Sequence, residues 1–445
     1  MKIVKISFII VAVALLSFGL STTSFAFHSG GVAECEGCHS MHNSFEGAPN
    51  VTGRTFEQGT GPYLLKANEA SGACLNCHGA GSTLSGYHIS TEGINAYDST
   101  TPAQLTPGGD FSWLKKTMNV TIRKTVATDG NPGHTHGHNI VSSDFGYAAD
   151  DVLTVAPGGT YPAGNLACSS CHDPHGRYRR DATGAYATTG LPIWNSGSYN
   201  NSADPKPGVS AVGAYRILGG NGYQPKSLTG AYAFTVDPMD VVVASTYNRL
   251  ETTANTAIAY GNNVSEWCAN CHTNMLSNGY TSGMAGLRHP AGNAANLTAD
   301  IVSNYNAYVS SGIMTNVTPA AAFSTLNPFQ INSADRSVLK PMAVTSTAKN
   351  NQNMPAAATT NSVMCLSCHR AHASGFESML RFFYLNEFMT VADASNIAIY
   401  DSSTTENKIN YGYNQAQQQQ AYYGRPATEF GAYSRSLCNK CHAKD

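Results

Sequence analysis

The sequence predicts a chain that is mostly coil, with short helices and few short strands, elongated and wrapped around groups that are not amino acids. Three observations predict it. The signature Cys-x-x-Cys-His occurs six times and accounts for all 12 cysteines. Its copies are spread along the whole chain, about one per seventy residues. Only 12% of the residues are charged, while glycine (42) and proline (19) are abundant. Such a composition buries too little apolar surface of its own to offset the entropy lost on folding.

The first three copies are Cys35, Cys38 and His39, then Cys74, Cys77 and His78, then Cys168, Cys171 and His172. The last three are Cys268, Cys271 and His272, then Cys365, Cys368 and His369, then Cys438, Cys441 and His442. Two thiols at this spacing add across the two vinyl groups of a haem, and the following histidine lies under the iron. A structural zinc site also uses Cys-x-x-Cys, but does not require histidine directly after the second cysteine. A thioredoxin-like redox motif would occur once, and a disulfide scaffold would vary its spacings in a short chain. Histidine is about one residue in thirty, so six placements by chance have odds on the order of one in a billion. The expected cofactors are six covalent haem c groups, which supply the missing apolar core. The fold class is a multihaem cytochrome c, with residues 27–445 as a single hexahaem unit.

The N-terminus reads as an export signal over residues 1–26. Lys2 and Lys5 precede an apolar stretch from Ile6 to Leu20, and Ser24-Phe25-Ala26 forms a small-residue cleavage pattern. Ser7, Ser17 and Gly19 interrupt that stretch, which is short for a membrane span. No later apolar run has spanning length, so no stable membrane insertion is expected. The expected location is extracellular or the outer cell surface, with the periplasm as the alternative. The formal charge of −2 becomes roughly −16 once the leader is removed and every haem propionate is ionised. That excludes a nucleic-acid partner. Arg177, Arg179 and Arg180 are read either as partners of propionates or as a solvated basic turn.

Regular elements are few. Asp300–Val309 and Asn414–Tyr423, the latter stopped by Gly424, have helical content. Trp113–Val126 carries strand-like runs that fit one hairpin. Short helical turns are expected at the haem motifs. Pro107-Gly108-Gly109, Pro157-Gly158-Gly159 and Leu218-Gly219-Gly220 read as turns.

Nine histidines lie outside the motifs, against six needed for bis-histidine iron. The first, third and fifth motifs continue as Cys-His-x-x-His, adding His42, His175 and His372, which suggests haems organised in three pairs. None of these three can reach the opposite face of its own haem from three residues away. If the odd motifs work alike, His372 reaches back to the third haem and His175 to the first. His42 then has no earlier haem in its chain and would serve the fifth haem of another copy. His138 and His289 are the next candidates, and His88 and His28 compete for the last place. His134 and His136 are read as exposed or accessory. Methionine ligation is disfavoured because histidines are in surplus, and Met41 sits too close to its own haem.

The segments FHSGGVAECEGCHSMHNS, TPGGDFSWLKKT, CSSCHDPHGRYRR, SEWCANCHT, RHPAGN, CLSCHRAHASGF and SLCNKCHAKD resemble the OmcS-type hexahaem cytochromes of metal-reducing bacteria. The resemblance covers essentially the whole mature chain. It implies all-bis-histidine haems and a homopolymeric extracellular filament in which His42 ligates the fifth haem of the adjoining subunit. It also implies electron delivery to other redox proteins or extracellular metal oxides. The function expected is long-range extracellular electron transfer. One alternative is a monomeric periplasmic or outer-surface electron carrier. Another is a multihaem oxidoreductase, which needs an open axial position. Six motifs ending in histidine and a surplus of further histidines argue against an enzyme. The 23 tyrosines are read as filler rather than as conducting groups.

Overall fold

A computed structural model of the chain describes residues 35–40, 44–45, 48–49, 62–79, 88–91, 108–115, 119–122, 125–128, 135–225, 228, 232–243, 258–276, 290–311, 329–343, 358–374 and 377–380. The leader and the expected Asn414–Tyr423 helix lie outside the described residues. So does the whole sixth motif, with Cys438, Cys441 and His442, and so do His28, His42, His134 and His289.

The elements run as α1 (Cys35–Cys38), β1 (Ser44–Phe45), β2 (Ala48–Pro49), α2 (Ala70–His78), β3 (Asn119–Ile122), β4 (Thr125–Thr128), α3 (Cys168–Cys171), β5 (Arg179–Arg180), β6 (Tyr186–Ala187), β7 (Ile193–Asn195), β8 (Ala211–Gly213), β9 (Val241–Val242), β10 (Ala259–Tyr260), α4 (Val264–Cys268), α5 (Ala299–Ser311), β11 (Phe329–Ile331), α6 (Arg336–Leu339), β12 (Asn361–Val363) and α7 (Cys365–Cys368). Where the connections are described, they are turns, bends and short 3-10 turns, as the glycine- and proline-rich composition requires. Strands pair as antiparallel two-stranded ribbons, apart from one sheet of order β6-β5-β8-β7 in which β7 and β8 are parallel. Among the described residues no helix is long and apolar enough to cross a membrane.

The expected helix at Asp300–Val309 is α5, one to two residues longer at each end, with Asp300 in its first turn facing the positive end of the helix dipole. Ile301, Val302 and Tyr305 pack on Leu297 and Phe329, the i, i+4 stripe of an amphipathic helix. The expected hairpin is β3–β4, in register Asn119↔Thr128 to Ile122↔Thr125. Its Trp113 end differs. Phe111–Lys115 is a buried 3-10 turn, because the Asp110 carboxylate accepts the Ser112 N–H at 2.8 Å and starts a helical turn instead.

Two of the apolar clusters sit against motif helices. One gathers Leu75 of α2 with Phe111, Trp113, Leu114, Ile140, Tyr147 and Ala373. Another gathers Val264 of α4 with Leu218, Met239, Val241, Tyr260 and Met364, the residue before α7. This part of the side-chain core is thus built as walls beside the cysteine motifs.

Candidate haem-binding site

Every described motif is a single helical turn or the end of one, and the turn explains the spacing. One turn places both cysteines of Cys-x-x-Cys on the same side. It closes when the histidine N–H donates back to the first cysteine carbonyl: His39 to Cys35 at 2.9 Å, His172 to Cys168 at 3.0 Å, His272 to Cys268 at 3.1 Å, His369 to Cys365 at 2.9 Å. In the third and fifth motifs the residue before the second cysteine helps. Ser170 Oγ accepts the Ala167 N–H and Ser367 Oγ the Met364 N–H, each at 2.9 Å. None of the ten described cysteines is in a disulfide, so the sulfurs of each motif are available for thioether bonds to a haem. Cys438, Cys441 and His442 repeat the same spacing in the sequence, but they fall outside the described residues, so the sixth site stands on its motif alone.

The histidine rings identify their own tautomer. Nδ1 lies 3.0 Å from the Tyr63 carbonyl in His39, 2.8 Å from Arg216 in His172, 2.8 Å from Pro157 in His272 and 2.8 Å from Ser378 in His369. Nδ1 of His138 lies 2.7 Å from the Ala371 carbonyl. A carbonyl only accepts, so each Nδ1 carries the hydrogen and each Nε2 keeps its lone pair for a metal. Burial pushes the His272 and His369 pKa values down. It pushes His138 to about 4, with His272 adding to the effect, and His372 to about 3, with His172 adding. These rings stay neutral, as a metal ligand must be.

The same strap supports each odd motif, and sequence reasoning did not find it. Tyr63-Leu64, Arg216-Ile217 and Ser378-Met379 are the described non-glycine pairs of consecutive left-handed residues, with φ between 49° and 59°. In each pair the first carbonyl takes the proximal Nδ1–H. The second takes the N–H after the proximal histidine: Ser40 at 2.8 Å, Asp173 at 2.7 Å, Arg370 at 2.8 Å. Leu65, Leu218 and Leu380 then bridge to His39, His172 and His369. The straps lie 24, 44 and 9 residues from their histidines. They share only that leucine, so no fixed-length repeat could have shown them.

The distal candidates face the proximal rings across a constant gap. His39 and His175 have ring centroids 6.5 Å apart and nearly parallel planes, at 6°. His172 and His372 are 6.4 Å apart at 58°. His138 and His272 are 6.0 Å apart at 39°. Two imidazoles trans on one metal, each bonded at about 2 Å, have centroids roughly 6–6.5 Å apart. The donor set therefore fits an iron between each pair. His175 is aimed locally, because buried Asp173 accepts the His175 N–H at 3.1 Å and the Arg177 N–H at 3.0 Å. His372 and His138 are placed together by long-range pairing. Residues 370–374 run between 108–110 and 135–138, with His372 N–H on the Gly108 carbonyl at 2.6 Å and His138 N–H on the His372 carbonyl at 2.8 Å. His88 has a buried Nε2 without a hydrogen bond among the described residues, and its neighbour Ile89 donates to the His78 carbonyl at 2.9 Å. That orphaned nitrogen is what a ligating position looks like without its metal.

Several surroundings differ from expectation. His136 is buried, with Nδ1 3.3 Å from the Ser374 carbonyl, so it is an accessory group and not an exposed one. Of the three arginines, Arg180 is not part of a solvated turn. Arg180 forms a buried ion pair with Asp240 at 2.8 Å, Arg177 pairs with Asp173 at 3.2 Å, and Arg179 donates to the Leu191 carbonyl at 3.0 Å. The three Gly-Gly turns also do more than turn. A Cβ on Gly109 would lie 1.9 Å from the Ala373 carbonyl oxygen, and one on Gly159 1.8 Å from that of Cys271. Gly109 and Gly159 are glycines because the 370–374 segment and the fourth motif press against them, whereas Gly219 and Gly220 make room for Tyr223 and for Tyr178 and Pro238.

Neighbouring motifs touch directly. The Cys74 and Cys168 side chains are neighbours, as are those of Cys268 and Cys365. Ser71 Oγ takes the Cys168 N–H at 3.3 Å, and Ser265 Oγ takes the Cys365 N–H at 3.0 Å. Both serines stand three residues before the first cysteine of an even motif. Each contact links an even motif to the next odd one, between the expected pairs.

No protein-family model matches the chain. It is 52% identical, over the full length of both proteins, to the C-type cytochrome OmcS of Geobacter sulfurreducens. Two solved structures share its fold: the OmcS nanowires of G. sulfurreducens by cryo-electron microscopy, and the Outer Membrane Cytochrome S filament of the same organism. The first matches with a TM-score of 0.80 at 52% identity, covering 94% of this chain and all of that one. The second matches with a TM-score of 0.79 at 51% identity, with the same coverage. Identity of this extent over the whole length, together with a mostly coil fold of repeated Cys-x-x-Cys-His turns, shows that the chain belongs to the OmcS family of C-type cytochromes.

Proposed function

We propose that the chain is exported through its leader at residues 1–26 and carries six covalent haem c groups with bis-histidine iron. In this reading it polymerises into an extracellular filament that conducts electrons to other redox proteins or metal oxides. The observation that carries the reading is the set of three histidine pairs at 6.0–6.5 Å. When bound, the haems take up and pass on single electrons. The chain's own residues do the rest. His175 and His39 hold the first iron, His372 and His172 the third, His138 and His272 the fourth. Cys438 and Cys441 attach the sixth haem, with His442 as its proximal ligand. The carbonyls of Tyr63, Arg216, Pro157 and Ser378 orient the proximal rings, and the apolar clusters keep water from the motif helices. With both histidines of a pair holding an iron, no ligand position would remain there for a substrate, which supports a carrier over an enzyme. His42, His88, His289 and His28 remain to serve the other irons, with His42 assigned to the fifth haem of the next subunit.

The test is the holoprotein of His42→Ala beside wild type. Wild type should keep six haems per chain after denaturation and acid-acetone extraction, all low-spin, and should form filaments under electron microscopy. The variant should stay haem-loaded but monomeric, with one high-spin iron in six. Normal filaments with six low-spin irons in the variant would exclude His42 as the junction ligand. Fewer than five haems in wild type would exclude the hexahaem reading itself.

A further inference from the structure

The ligand planes at the first and third haem sites cross at very different angles, 6° and 58°, although the proximal sides are built alike. His39 and His172 each donate Nδ1–H to the first carbonyl of a left-handed strap, at 3.0 and 2.8 Å. The difference therefore arises on the distal side. The His175 side chain is 71% exposed, and its Nδ1 lies 3.9 Å from Asp173 Oδ1. His372 sits in a different setting. Its ring lies on the Phe111 ring, with centroids 4.6 Å apart and planes 22° apart. Gly108 touches it as well, and a Cβ there would stand 2.8 Å from His372 Nδ1. Phe111 is itself immobilised. It is 3% exposed, stands edge-on to Tyr147 at 6.3 Å, and donates its N–H to the Ile89 carbonyl at 2.8 Å.

We propose that Phe111 is a positioning residue for the third haem: it sets the plane of the distal His372 imidazole and so the spectrum and potential of that one iron. This rests on the proposed ligation of the third iron by His372. The physical link is orbital. Parallel imidazoles donate into the same iron d orbital, split the pair of orbitals that hold the ferric hole, and give well-separated g values. Crossed imidazoles donate into both orbitals, keep them close in energy, and give one very large g value. They also stabilise the ferric state less, so the potential is higher. The third haem should therefore have a larger maximum g and a higher potential than the first.

The test is electron paramagnetic resonance of the oxidised holoprotein, with a reductive titration. Phe111→Leu removes the flat support while keeping an apolar side chain. About one sixth of the low-spin ferric intensity should move from a larger to a smaller maximum g, and one haem should become harder to reduce. Phe111→Tyr keeps the ring and should keep the wild-type signal. If Phe111→Leu does not accumulate, Gly108→Ala pushes the same ring from Nδ1 and should shift the same signal. His372→Ala separates the two levels of the proposal. It should make one iron high-spin, and six low-spin irons in that variant would overturn the ligation and the proposal with it. One high-spin iron in His372→Ala, with unchanged spectra and potentials in both Phe111→Leu and Gly108→Ala, would overturn the role of Phe111 alone.

Discussion

At the scale of single residues, the histidines divide by what surrounds the ring. A ring whose Nδ1–H is committed to a carbonyl presents one free lone pair in one direction, which is what a trans ligand needs. The distal rings differ mainly in burial. His175 is largely exposed, whereas His372 is buried against Phe111 and the Gly108 backbone. His175→Ala and His372→Ala should each turn one iron in six high-spin by magnetic circular dichroism. Their stability costs should differ. His372→Ala also opens a cavity in the packing between residues 108–110 and 135–138, and should cost about 2–4 kcal/mol more in denaturant unfolding. Equal unfolding midpoints for the two variants would show that the packing around His372 contributes little.

At the scale of elements, strain and close approach mark the haem-holding loops. Two consecutive left-handed non-glycine residues cost about 1–2 kcal/mol each. Three straps of this kind persist only because the histidine donors and the leucine bridges hold them. The glycines make the complementary case. Gly109 combines φ +78° with a Cβ position 1.9 Å from the Ala373 carbonyl oxygen, while Gly164 has nothing within 4 Å. Gly109→Ala should cost about 3 kcal/mol or more and release the 370–374 segment, seen as faster amide exchange at His138 and Ser374. Gly164→Ala should stay within about 0.5 kcal/mol of wild type. Similar costs for both would mean that the contact at Gly109 relaxes freely.

At the scale of the whole molecule, distant segments are tied by polar locks as well as by the motifs. Arg180 of β5 pairs with Asp240 at 2.8 Å and donates to the Ala334 carbonyl, and Tyr186 donates to Asp240 at 3.2 Å. Burial raises the Asp240 pKa to about 6 in spite of the Arg180 charge. The folded chain then holds a proton that the unfolded chain releases between about pH 4 and 6. The stability this proton contributes is complete below the ordinary carboxylate range and is lost as pH rises through about 6, by about 2–3 kcal/mol. Denaturant midpoints of wild type should carry this falling component over pH 4–6. Asp240→Asn, which has no proton to lose, should lack it. A variant profile parallel to wild type would place the titration elsewhere.

The sequence by itself determined the chemistry. The Cys-x-x-Cys-His copies were legible as the proposed attachment sites, because in the described copies one helical turn sets both the cysteines and the following histidine, and that turn is local. The same locality made α5 and the β3–β4 hairpin legible, and the Cys-His-x-x-His alternation singled out His175 and His372, whose rings lie 6.5 and 6.4 Å from those of His39 and His172. What only the tertiary structure decided is how the rings are held. The left-handed straps lie at unequal distances along the chain, and the carbonyl that fixes His272 belongs to Pro157. Gly108, Gly109 and Gly137 are glycines because residues 370–374, more than two hundred positions later, lie against them. Ring orientation depends on contacts between segments far apart in sequence, and such contacts leave no periodicity or spacing to be read.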